Sequence, residues 1–186
     1  MLLVQFQSFS GLRELLMVGN SMRLKIGSEI QKGANLVPLK FPYRGRGRHS
    51  WISFIGKDAC DSLREWFTVR GWPNSNNPYL WPIRRRGGKP RPLTERAVSN
   101  TYSRLAIQLG LRPRRTSGKG SWVRYHASPK EVRHLAVTCA HLSGVESIIV
   151  HALAGHKVAW QARHWRQPDA KLLEPFYRKM EPYLSP

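Results

Sequence analysis

A chain of 186 residues suffices for one domain with a sizeable core, and 31 Lys and Arg stand against 11 Asp and Glu, a formal net charge of +20. A field of that sign selects anionic partners, nucleic acid first and an anionic membrane surface second. No apolar run approaches the ~20 residues that span a bilayer. Met1 to Val4 is broken by Gln5 and Gln7, with no basic leader or small-residue cleavage site, so a soluble, cytoplasmic protein with no membrane partner is expected. Cys60 and Cys139 lie far apart and outside any CxxC pattern, which speaks against a disulfide framework or zinc site and for two buried, reduced thiols.

From the N-terminus, Leu2 to Val18 reads as two helical pieces hinged at Ser10-Gly11, with Leu12, Leu15 and Leu16 at helical spacing and Arg13 just past the hinge. An irregular connection follows. Leu36 to Tyr43 and His49 to Ile55 alternate and are rich in β-branched and aromatic residues, which predicts a hairpin around Gly45-Arg46-Gly47 with Arg44, Arg46 and Arg48 at its tip. A helix is expected from about Asp58 to Arg70, with Leu63, Trp66 and Phe67 on its apolar face and Gly71 as its stop. Pro73 to Pro92 reads as loop and holds the densest charge run, Arg84-Arg85-Arg86-Gly87-Gly88-Lys89-Pro90-Arg91.

Thr94 is a good N-cap for a helix to about Leu109 closed by Gly110, and a second basic loop, Arg112 to Lys119, comes next. Ser128 then caps a helix whose first residue is Pro129, where a missing N–H costs nothing, and Gly144 ends it. Ser147 to Ala154 is a short apolar helix stopped at Gly155, and an amphipathic segment spans about Asp169 to Tyr183, interrupted by Pro175. The expected class is therefore mainly α with a small antiparallel hairpin, an α+β fold in a single domain over residues 1–186.

Lys130 and Arg133 lie three apart in the first turn of their helix, where cations oppose the helix dipole and call for an anion. A phosphate would gain the free N–H groups and both cations, with a bidentate fork from Arg133; on spacing alone, a salt bridge to Glu131 or Glu14, or plain solvation, is the commoner arrangement. His156 after Gly155 could hydrogen bond a phosphate oxygen or cap the last carbonyls of its helix. Seven histidines form no HxxxH or HExxH pair, so neither a metal nor any other cofactor is expected. The basic turns, with Arg44, Arg48, Arg84, Arg85, Arg86, Lys89, Arg91, Arg114, Arg115 and Lys119, suggest salt-dependent contacts to the backbone of double-stranded DNA. An RNA-binding or ribosome-associated protein would share this composition.

In order along the chain stand Gly11-Leu12-Arg13, a basic hairpin, a long helix, Lys130-Glu131-Val132-Arg133-His134 and Gly155-His156. Over nearly the whole chain, from about Phe9 to Leu184, this order resembles the catalytic domain of tyrosine recombinases, the phage-integrase superfamily, and above all its archaeal and archaeal-viral members. The resemblance implies that Arg13 and Arg133 hold the non-bridging oxygens of a scissile phosphate, neutralising charge that grows in the transition state. It further implies that Lys130 stands in for a family histidine, and that His156 is the second family histidine, a phosphate donor. The hairpin lysine that usually protonates the leaving oxygen is replaced by Arg46, which stabilises charge and serves poorly as a general acid.

The nucleophile departs furthest from the family. Nine positions after His156, where the family carries the tyrosine that forms the 3′-phosphotyrosine bond, stands Trp165, whose indole N–H is not a usable nucleophile. Tyr177 and Tyr183 are the substitutes on the tail, acting through a shifted alignment or in a neighbouring protomer. The resemblance also implies a catalytic domain without its N-terminal DNA-clamping domain, completed by self-association on DNA or by a separate N-terminal integrase fragment. The implied function is site-specific recombination, DNA integration; the alternative is a DNA-binding or regulatory remnant that no longer cleaves.

Overall fold

The computed structural model describes residues 19–41, 51–83, 88–110, 129–156 and 169–184, with backbone alone for Glu95 and residues 129–132. Asn20–Gln31 forms a helix, α1, where the sequence reads as an irregular connection. Its buried face is only Ile26, Gly27 and Ile30, and Gly19 caps it without a side-chain hydrogen bond, so neither periodicity nor capping announces it. Gly27 lets Pro73 approach: a Cβ there would stand 3.0 Å from the Pro73 ring. Packing selects this helix more than propensity does.

Val37–Phe41 (β1) and Trp51–Ile55 (β2) pair antiparallel as the alternation predicts, with Val37 opposite Ile55 and Phe41 opposite Trp51. Lys57–Arg70 (α2) ends at Gly71, whose φ of 92° suits glycine and whose N–H bonds to the Phe67 carbonyl at 2.8 Å. Within the stretch expected to be loop, Pro82–Ile83 (β3) and Arg91–Pro92 (β4) form a two-residue antiparallel ladder that brackets the basic run. Glu95–Gln108 (α3) starts at Thr94, whose Oγ1 accepts from the Ala97 N–H at 3.2 Å.

Pro129–Leu142 (α4) begins on its proline as expected, and Ser147–Leu153 (α5) follows after Gly144, at φ 69°. Ala170–Leu184 (α6) runs unbroken through Pro175, against the expectation of an interruption. An interior proline costs about 3 kcal/mol. Here Leu173, Tyr177 and Met180, at helical spacing, are all buried, and each apolar side chain so buried returns about 1.5–3 kcal/mol.

The hairpin divides two cores. Val37, Leu39, Phe41 and Ile55 project to one side, among Ile26 and Ile30 of α1 and Leu63 and Phe67 of α2. Phe54, with Leu36 and Ile52 beside it, projects to the other, among Ile149 and Val150 of α5 and Leu173 and Met180 of α6. This is the period-two alternation of a strand used on both faces. Mainly helical with two small antiparallel sheets, the described residues have the α+β character the sequence predicts.

Cys60 is buried, and that burial pushes its thiol up to about 12; Cys139 is only half-buried, contrary to expectation, because it lies on the outer part of α4 between exposed Leu135 and Leu142. Among the described residues no helix is long and apolar enough to cross a membrane.

Candidate functional site

The site forms where α5 ends. Gly155, at φ 70°, turns the chain back so that its N–H bonds to the Ala152 carbonyl at 3.1 Å and the His156 N–H to the His151 carbonyl at 2.9 Å. This paired closure is the one that a left-handed glycine makes at a helix end, and it brings the residue after the glycine onto the one five before it. In most helices that contact is apolar. Here it is two imidazoles, His151 Nδ1 facing His156 Nδ1 at 2.9 Å with ring centroids 5.1 Å apart. Two such nitrogens hydrogen bond only when one carries the proton and the other offers its lone pair. His141, from the end of α4, meets His151 edge-on at 5.4 Å.

Arg133 reaches the same place from the start of α4, its Nη2 donating to the Ala154 carbonyl. That carbonyl is among the last of α5, which gain no partner within their own helix and form the negative end of its dipole. Part of the electrostatic mismatch of an arginine near the start of α4 is thus answered by a neighbouring helix end. His156 is half-buried, and its ionisation is held below the usual histidine value of 6.5, first by burial and then by Arg133, His151 and His134. The three groups act with the same sign. An arriving anion would act with the opposite sign.

The hairpin fixes the floor. A Cβ on Gly155 would fall 2.7 Å from the Trp51 indole, and Trp51 stacks on Phe41 with centroids 4.8 Å apart. Glycine at 155 therefore serves twice, for its positive φ and for the approach of the indole. Trp51, opposite Phe41, is the last described pair of the ladder.

Of the residues singled out from sequence, Arg133 and His156 are brought together. Lys130 lies in the first turn of α4, three residues before Arg133, with its side chain outside the described residues. Arg13, Arg44, Arg46, Arg48, Arg84, Arg85, Arg86, Arg114, Arg115, Lys119 and Trp165 also lie outside them. Lys89 and Arg91 are exposed beside and on β4.

Tyr177 sits elsewhere. It is 4 % exposed, packed on Phe54 at 5.1 Å between ring centroids, and its hydroxyl lies against Gly56 at the start of α2. Burial, then Glu181 and Cys60, raise its ionisation above the ordinary tyrosine value. The groups around that hydroxyl and those around His156 are disjoint sets. Tyr183 is exposed in the last turn of α6.

Sequence reading missed His151 and Trp51. Gly155 carried the signal for the first, because a glycine closure implies contact between positions 151 and 156. Nothing local foretells the second, which is a tertiary contact. Among the described residues no group of three His, Cys, Asp or Glu is placed to hold a metal ion.

By its fold this is a mainly helical α+β chain, and by its site a helix end crowded with arginine and imidazole. No family model, no curated protein and no solved structure matches it.

Proposed function

We propose that this chain binds duplex DNA, with the Arg133–His156 cluster seated on a backbone phosphate, as a recombinase-type domain in which binding outlives strand cleavage. One observation carries the reading: Arg133, His151 and His156 meet at the end of α5, where burial and the neighbouring Arg133 and His151 hold the His156 ionisation down. The net charge of +20 supplies the long-range attraction such binding needs. A guanidinium offers a forked donor to phosphate oxygens, and an imidazole a single donor, which together match the clamp the recombinase resemblance implies.

Burial of Tyr177 favours binding over cleavage. A phenol enclosed in a core, beside the Glu181 carboxylate, ionises with difficulty and is screened from a phosphate at the surface.

Titrating DNA affinity against salt tests the phosphate reading. Arg133→Ala is expected to weaken binding about tenfold to a hundredfold and to reduce the slope of log K against log salt by about one. An unchanged affinity and slope would remove the phosphate site. Incubation with a nicked duplex that traps covalent intermediates tests the rest: a non-covalent complex without an adduct is expected, whereas an adduct lost in Tyr177→Phe would restore cleavage.

A further inference from the structure

A second basic feature lies one rung along the same hairpin. Lys40 and Ile52 are paired across β1 and β2, immediately before the Phe41–Trp51 pair whose indole meets Gly155. They project to the opposite face from Trp51, and with Met22 and Lys25 of α1, Pro38, Leu39, Asp169 and Ala170 they line an open groove of about 380 Å³. Both lysines are exposed, and they come from separate elements, a helix and a strand. Among the described residues no ion pair links Asp169 to either of them.

Resting on the DNA-binding reading, we propose that this groove holds a second stretch of the same DNA backbone, with Lys25 and Lys40 on phosphates and the apolar floor under the sugar. Met22, Pro38 and Ile52 offer carbon surface of the kind a deoxyribose covers, while ammonium groups at the rim answer the charge. Lys40 lies on the rung next to the Phe41–Trp51 pair, on the other face of the hairpin from the indole that meets Gly155, so the two places bear on different stretches of a bound backbone. Asp169 is the dissonant member. Its carboxylate repels a phosphate, which limits how tightly the groove holds one.

The two signs allow a test that bulk charge cannot mimic. Salt dependence of duplex binding is measured for Lys25→Ala/Lys40→Ala, for Asp169→Asn, for Arg133→Ala and for a control, Lys32→Ala/Lys57→Ala, whose lysines are paired with Glu29 and Asp61. The groove variant is expected to lower the salt slope by about two, Asp169→Asn to bind more tightly than the parent, and the control to keep the parent slope. If the groove variant keeps the parent slope while Arg133→Ala has lost its contact, the groove proposal fails and the phosphate site at His156 stands. If neither variant changes the slope, both fail. An equal loss in the control and the groove variant also overturns the groove, since charge alone then explains the effect.

Discussion

Two helix ends in this protein are each closed against a glycine that has no room for a Cβ, and they are closed in opposite ways. At Gly56, before α2, Glu181 reaches over from α6 and accepts the Lys57 N–H at 2.6 Å, while the Tyr177 hydroxyl stands 2.9 Å from where a Cβ would be. A carboxylate at a helix N-terminus is electrostatically matched. One carboxylate answers one helix end there, beside the buried Tyr177. At Gly155, after α5, Arg133 supplies the matching cation, but imidazoles crowd in behind it and the place is only half-buried. The difference separates an ion that finishes a fold from ions gathered beyond what the fold needs.

Several other cations have partners within the chain. Lys57 and Arg64 share Asp61, Arg178 pairs with Glu174, and Arg23 and Arg70 lie over the Tyr79 and Trp66 rings. Such pairs are worth little each at an exposed surface. Their partners nevertheless make the concentration around His156 distinctive.

The comparison is broken most forcefully at the glycines. Gly155→Ala meets a rigid indole and a positive φ together, and is expected to cost about 1–2 kcal/mol in backbone strain with about 1–3 kcal/mol more in overpacking. Gly56→Ala, at φ −81°, suffers overpacking alone, about 1–3 kcal/mol. Urea unfolding ranks the two. DNA affinity separates them, since only the change at Gly155 should weaken binding in the fraction that remains folded; equal loss in both would place the site elsewhere.

A smaller effect comes from pH. His156 ionises below 6.5 in the folded chain, so the unfolded chain holds more protons as pH falls through that value. Its contribution to stability is present above 6.5 and is lost as pH falls toward the lowered folded value. A bound phosphate raises the same ionisation, so DNA affinity should increase over the window in which stability declines. Parallel unfolding and binding titrations between about pH 5 and pH 8 read both slopes; slopes of the same sign would detach His156 from the anion.

Most of the architecture was legible because its stops are chemical. Gly71, Gly144 and Gly155 end helices with positive φ, Thr94 opens one, and Pro129 begins another where a proline is tolerated. α1 and the β3–β4 ladder escaped, and α6 was read correctly except for a break at Pro175. α1 is held by a narrow apolar strip and a close approach to Pro73, both tertiary, β3 and β4 are two residues each, and α6 carries Pro175 through the burial of Leu173, Tyr177 and Met180. Arg133 and His156 stood out as a pattern. Trp51 did not, because the contact that makes it matter joins residues more than a hundred positions apart.

The hairpin between the two cores carries a consequence for the chain during synthesis. Its first face is covered by residues that precede or closely follow it, but Phe54 and Ile52 wait for α5 and α6, which emerge from the ribosome about a hundred residues later. Until then Phe54 and Ile52 have no partner from the second core. Contacts of that sequence separation form slowly. The second core is therefore complete only once α6 has docked.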